Sequence, residues 1–151
     1  MQVFIIKKIH LVFVPLVGRR EAAAMRRVVI DMQNYLFADA IARTLKDYDS
    51  DFLTEMPEAP EKTAELCRVI QSNILMMEVT RQTPWKLEER MQICREVKRS
   101  VPDCKIILGV DEKADKEIAA MVVEYKKMGL IDCFIYNTIS ASYLTALIDT
   151  L

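Results

Sequence analysis

Residues 25–151 predict an α/β fold, a five-stranded doubly wound parallel sheet with helices on both faces. Three observations carry that expectation. Short apolar runs alternate five times with stretches whose apolar residues recur at helical spacing. The runs are continuously apolar, as strands covered on both faces are. Only 3 glycines are present, which disfavours an all-β chain built from tight turns. Strands alternating with helices imply a parallel sheet, and right-handed crossovers wind it on both sides.

Each element has its own local reason. Val28-Val29-Ile30 is a β-branched run that reads as a buried strand. Asn34 suits a helix cap, and Leu36, Phe37, Ala40, Ile41 and Leu45 follow at helical spacing until the polar stretch 47–50. A short strand over 51–55 precedes Pro57 and Pro60, and Pro60 suits the first turn of a helix through Leu66, Val69 and Ile70. Ile74-Leu75-Met76-Met77 is the third strand, closed by Glu78. Pro84 opens a helical stretch carrying Leu87, Met91, Ile93, Cys94 and Val97, which Pro102 ends. After the strand 106–110, Asp111 and Asp115 are both cap candidates for a helix with Ile118, Met121, Val122 and Tyr125 facing the core. Gly129 stands where that helix stops. Between Asp111 and Gly129 this helix is expected to be about one turn longer than usual. Phe134-Ile135-Tyr136 is the last strand, and Ser140 caps a helix with Tyr143, Leu144, Leu147 and Ile148.

The first 24 residues differ in character. Val3 to Val17 is apolar but interrupted by Lys7, Lys8 and His10. A membrane-spanning helix needs roughly 20 largely uncharged residues, and a signal peptide carries its charges ahead of its apolar core. Two readings stay open: an N-terminal extension that adds a strand, or a start called upstream of a native Met25.

Composition excludes several classes. Hydrophobic residues make up 52% and charged residues 28%, with a net charge of −1, which is neither a disordered composition nor the basic footprint of a nucleic-acid binder. Cys67, Cys94, Cys104 and Cys133 form no CxxC pair and His10 is the single histidine, so a zinc site is not expected. The four cysteines read as reduced, mostly buried thiols of a cytoplasmic protein.

In a doubly wound sheet the working site lies at the carboxyl ends of the strands, near the switch in strand order. Residues 31–34, 78–80, 110–112 and 137–140 therefore define the candidate site. With five βα units in about 125 residues and a central NILMMEVTRQTPW, residues 25–151 resemble the receiver domain of response regulators, a flavodoxin-like (βα)5 fold. The resemblance rests on pattern and order, and it implies a set of site positions. It places Glu78 at the phosphoacceptor aspartate, Asp31, Met32 and Gln33 at the acidic pocket that helps hold Mg²⁺, and Val110 at the Ser/Thr position, with Gly109 taking that place if the register slips. It places Asn137 at the lysine, with Thr138 after it where the family has proline, and Tyr136 at the aromatic switch. The chemistry needs hard oxygen ligands for Mg²⁺ and positioned charge around the phosphoryl group. This chain departs at the acidic pocket, the phosphoacceptor, the hydroxyl and the lysine motif, and keeps an aromatic at Tyr136. Glutamate carries its carboxylate one methylene farther out than aspartate, and displacements of that size cost heavily in positioned chemistry.

The expectation is a degenerate pseudo-receiver: no enzyme, no cofactor, Mg²⁺ binding lost or weak, and action through protein contacts. Bacterial two-component signalling is the implied setting, with no nucleic-acid or membrane partner and no DNA-binding output domain after Leu151. The implied contact surface, for self-association or a partner, is the face of the fourth and fifth strands and helices, including Glu117, Glu124, Lys126, Tyr143 and Leu147. The alternative is a phosphorelay receiver that still accepts a phosphoryl group at or near Glu78. Glu78 itself reads either as a permanent mimic of the phosphorylated state or as drift. Trp85, after Pro84, suits either a partner surface or packing over the old site. Arg90, Arg95, Lys98 and Arg99, with Glu88, Glu89 and Glu96, read as a solvated helix face.

Overall fold

The apolar runs form the strands β1 (Arg26–Asp31), β2 (Phe52–Glu55), β3 (Ile74–Glu78), β4 (Lys105–Val110) and β5 (Cys133–Tyr136). Between them lie α1 (Tyr35–Tyr48), α2 (Thr63–Ile70), α3 (Leu87–Ser100) and α4 (Lys116–Lys127), and α5 (Ala141–Asp149) follows β5. These come from a computed structural model that describes residues 25–111, 113 and 115–151. The expectations for residues 1–24, and Glu112 of the candidate site, lie outside the described residues.

The strands are all parallel in the order β2-β1-β3-β4-β5, the doubly wound sheet expected from the sequence. The order reverses between β1 and β3, so the crevice between their carboxyl ends is the natural place for a site. Two cores flank the sheet. Val29, Leu75, Met77, Ile106 and Leu108 face α2, α3 and α4, while Val28, Ile30, Met76, Ile107 and Ile135 face α1 and α5.

The caps explain where the helices begin. Asn34, Asp115 and Ser140 accept side-chain hydrogen bonds from the backbone N–H groups of Phe37, Ile118 and Tyr143. Of the two candidates for α4, Asp115 is the cap, and the helix begins at Lys116. Gly129 takes the left-handed conformation (φ 77°) just past α4, where a Cβ is costly.

Five apolar residues expected on core-facing stripes, Ala40 among them, lie outside. Leu36 is 83% exposed, and Val69, Met121 and Tyr143 are exposed as well. On α1 the buried stripe is Ala38, Ile41 and Leu45, so Leu36 falls beyond its edge. The opposite correction is larger. Arg90 does not belong to a solvated face: its side chain is fully buried in the stripe of Leu87, Met91, Cys94 and Val97. Lys98 is partly buried against Asp132, which also accepts from the Ile106 backbone N–H.

Candidate functional site at the strand ends

Period-two alternation decides which strand-end side chains can meet. Asp31 shares its face with Val29 and points toward α2 and α3, whereas Glu78 shares its face with Met76 and points toward α1. The two acids thus leave the sheet in opposite directions.

Asp31 is buried and engaged through one carboxylate oxygen. Its Oδ2 accepts from Arg90 Nη1 at 2.5 Å and from Thr63 Oγ1 at 2.6 Å. Arg90 also donates Nη2 to the Asp31 carbonyl at 3.1 Å and Nε to the Glu78 carbonyl at 2.8 Å. One guanidinium therefore ties the ends of β1 and β3 together from beneath the site. Its planar fork of donors suits several acceptors at once.

Glu78 occupies the other side. Its Oε2 accepts from the backbone N–H of Gln33 at 2.9 Å and, more weakly, of Asn34 at 3.4 Å. Its Oε1 accepts from Asn137 Nδ2 at 3.3 Å. The extra methylene of glutamate lets the carboxylate reach the entry to α1, where the positive end of the helix dipole favours an anion.

The remaining site positions divide the same way. Met32 is buried in the α1/α5 core, and the Gln33 side chain turns to Gln82. Gly109, not Val110, faces Glu78 and Asn137. Val110 alternates onto the other face and is buried in the α2/α3/α4 core. A Cβ built on Gly109 would come within 3.2 Å of Asn137 Oδ1, so a side chain there requires the Asn137 amide to give by a few tenths of an ångström. Tyr136 lies on the face away from Glu78, edge-to-face with Phe134 at 5.6 Å between ring centroids. Trp85 is half-buried in the loop before α3, with its backbone bonded to Thr80 and Gln82. Beside that loop, Arg81 pairs with Asp115, and its hydrogen bond holds the Asp115 carboxyl below the usual carboxylate range.

The donor set does not fit the Mg²⁺ of a receiver. One Asp31 oxygen already accepts from a cation and a hydroxyl, Met32 offers no hard oxygen, and Glu78 lies across the sheet. Among the described residues no three His, Cys, Asp or Glu side chains converge as a metal site. Also among the described residues, no helix is long and apolar enough to cross a membrane. The sequence signal for the Arg90 anchor was its position, three residues after Leu87 and four before Cys94. A cation at that spacing falls inside the apolar stripe.

No protein-family model matches the sequence, and no curated protein matches it. Solved structures do share its architecture. The receiver domain of AraT, a response regulator from Geobacillus stearothermophilus, superposes with a TM-score of 0.66 at 12% identity, covering 83% of this chain and 92% of that one. An orphan response regulator of H. pylori gives 0.62 at 15% identity, covering 83% and 94%. A CheY-like receiver domain protein from Methanospirillum hungatei gives 0.64 at 12% identity, covering 83% and 92%. Together with the strand order, these similarities give the described chain the receiver fold.

Proposed function

We propose that this chain is a phosphorylation-independent, receiver-like signalling module that acts in the cytoplasm by protein contacts and not by catalysis. The observation that carries the reading is the commitment of both strand-end acids. Glu78 holds the entry to α1 and the Asn137 amide, and Asp31 holds Arg90. Neither carboxylate is presented as a nucleophile beside a metal, and the hydroxyl and lysine positions hold Gly109 and Asn137. Incubating the purified chain with acetyl phosphate and Mg²⁺ is expected to leave its intact mass unchanged. A gain of one phosphoryl group that disappears in Glu78→Ala would establish the phosphorelay reading instead.

The contact surface is the face of α4, β5 and α5, the face implied for receivers. Met121 and Tyr143 are exposed there among charged residues that include Glu117, Glu124 and Lys126. Large apolar side chains left outside a charged helix face suit association. In sedimentation the chain is expected to self-associate, and Tyr143→Arg to shift it toward monomer. A strictly monomeric chain unaffected by Tyr143→Arg, with no partner in pull-down, would remove this face from the proposal.

A further inference from the structure

The described sheet has an open edge at β2. Arg26 N–H donates to the Asp51 carbonyl at 3.2 Å. Alternation then turns the peptide groups of Asp51, Leu53 and Glu55 toward β1 and those of Phe52, Thr54 and Met56 outward. Phe52 is satisfied locally, because its N–H donates to the Asp49 carbonyl and its carbonyl accepts from Lys46 Nζ. The Thr54 N–H and C=O and the Met56 N–H find no partner among the described residues. Such an edge is a template for another strand, and Phe52–Glu55 carries neither the lysine nor the proline that blunts one.

An apolar groove lies beside that edge. It measures about 400 Å³ and runs from the end of β2 along α2, with Met56, Pro57, Leu66 and Val69 in its walls. Val69 is 65% exposed. Leu53 pairs with Arg27, so it shares the sheet face that α2 covers, yet it is 40% exposed. Acids gather toward the carboxyl end of β2: Glu55 ends the strand, Glu58 lines the groove and Glu65 stands in the first turn of α2. Lys62 is the cation among them, and it pairs with Glu65.

The sequence ahead of Met25 matches this surface in composition, charge and length. Residues 3–17 are rich in Val, Ile and Phe, the types that suit strands. Lys7 and Lys8 are adjacent, so an extended chain presents one on each face. We propose that, in the 151-residue chain, residues 5–13 pair with β2 as an antiparallel edge strand and cover the groove. The direction follows from β1, whose first residue stands at the foot of the sheet: a segment joined to it by a short link runs down beside β2. An antiparallel edge strand on a parallel sheet is a common arrangement. That direction sets Lys7 and Lys8 beside Glu55, Glu58 and Glu65, and Leu11 and Phe13 beside Leu53 and Val69. Pro15, which cannot donate to a ladder, falls past the foot. Residues 16–24 then make the link. Passing under β2 to β1 takes roughly 10 Å, two strand spacings, and that length of extended chain spans up to about 30 Å.

The test uses the full 151-residue chain and two readouts. In the first, a carbodiimide couples amines directly to carboxylates in an equal mixture of light and nitrogen-15-labelled chains, and the linked peptides are mapped by mass. The expected links join Lys7 or Lys8 to Glu55, Glu58 or Glu65 within one chain, with both peptides carrying the same label. In the second, amide exchange is followed residue by residue by NMR. The Thr54 and Met56 amides should exchange at least about tenfold more slowly in the wild-type chain than in Ile9→Pro/His10→Pro, which removes a ladder donor whichever of the two faces β2. The Val29 and Leu75 amides of the central strands should be unchanged, which shows that the variant is folded. Links of mixed label would mean that a second copy supplies the strand. That result overturns the proposal, as does a wild-type chain that gives none of these links or exchanges Thr54 as fast as the variant.

Discussion

Arg90→Met is expected to lower the unfolding free energy by about 3–5 kcal/mol, the range for removing one partner of a buried ion pair. The corresponding fall in Tm is roughly 10–20 °C for a chain of this size. The substitution keeps most of the side-chain volume, so the loss is electrostatic and not a cavity effect. It leaves the Asp31 carboxylate inside the protein with Thr63 as its remaining side-chain partner, and it strips a donor from the carbonyls of Asp31 and Glu78. Both strand ends at the switch point lose their common tie. Urea unfolding measures the effect, and the double variant Arg90→Met/Asp31→Asn should recover part of it, with a coupling of roughly 1–3 kcal/mol. If Arg90→Met costs less than about 1 kcal/mol, or if the double variant shows strict additivity, the guanidinium is not holding the two strands through Asp31.

Glu78→Ala is the second large effect. It should cost roughly 1–3 kcal/mol, because the Gln33 and Asn34 amides and the Asn137 side chain lose a charged acceptor in a part-buried setting. The loss should be local. Hydrogen exchange in the first turn of α1 is expected to speed up while the β3 and β4 amides keep most of their protection. Glu78→Gln should fall between wild type and Glu78→Ala, since one oxygen acceptor survives. This variant also separates the two readings of the glutamate. If stability and α1 protection are unchanged in Glu78→Ala, the carboxylate is not an anchor for the helix entry, and display of its charge as a phosphoryl mimic becomes the better reading.

The fold was legible because strands, caps and breakers agree along the chain. Ile74-Leu75-Met76-Met77 and Ile106-Ile107-Leu108 form central strands, and Asn34, Asp115 and Ser140 cap as their side chains suggest. The site was legible in place but not in orientation. Apolar runs locate a strand end without fixing which face each residue takes, so Val110 and Gly109 could not be separated until the β3–β4 and β4–β5 registers were known. Arg90 was missed for a related reason. Its acceptors are carbonyls and a carboxylate contributed by two other segments, whereas glutamates at helical spacing offered a nearer explanation. Leu36 and Met121 failed in the other direction, since an apolar residue at the margin of a stripe looks the same in sequence whether or not a layer covers it.

The contact between Gly109 and Asn137 bears on how receiver chemistry could be built into this chain. A hydroxyl at position 109 requires a Cβ, and Asn137 already leans into that space. A change at 109 alone therefore requires the Asn137 side chain to shift, while a lysine at 137 alone would face Glu78 with no hydroxyl beside it. Positions 109 and 137 are therefore coupled, and the effect of a side chain at one depends on the residue at the other.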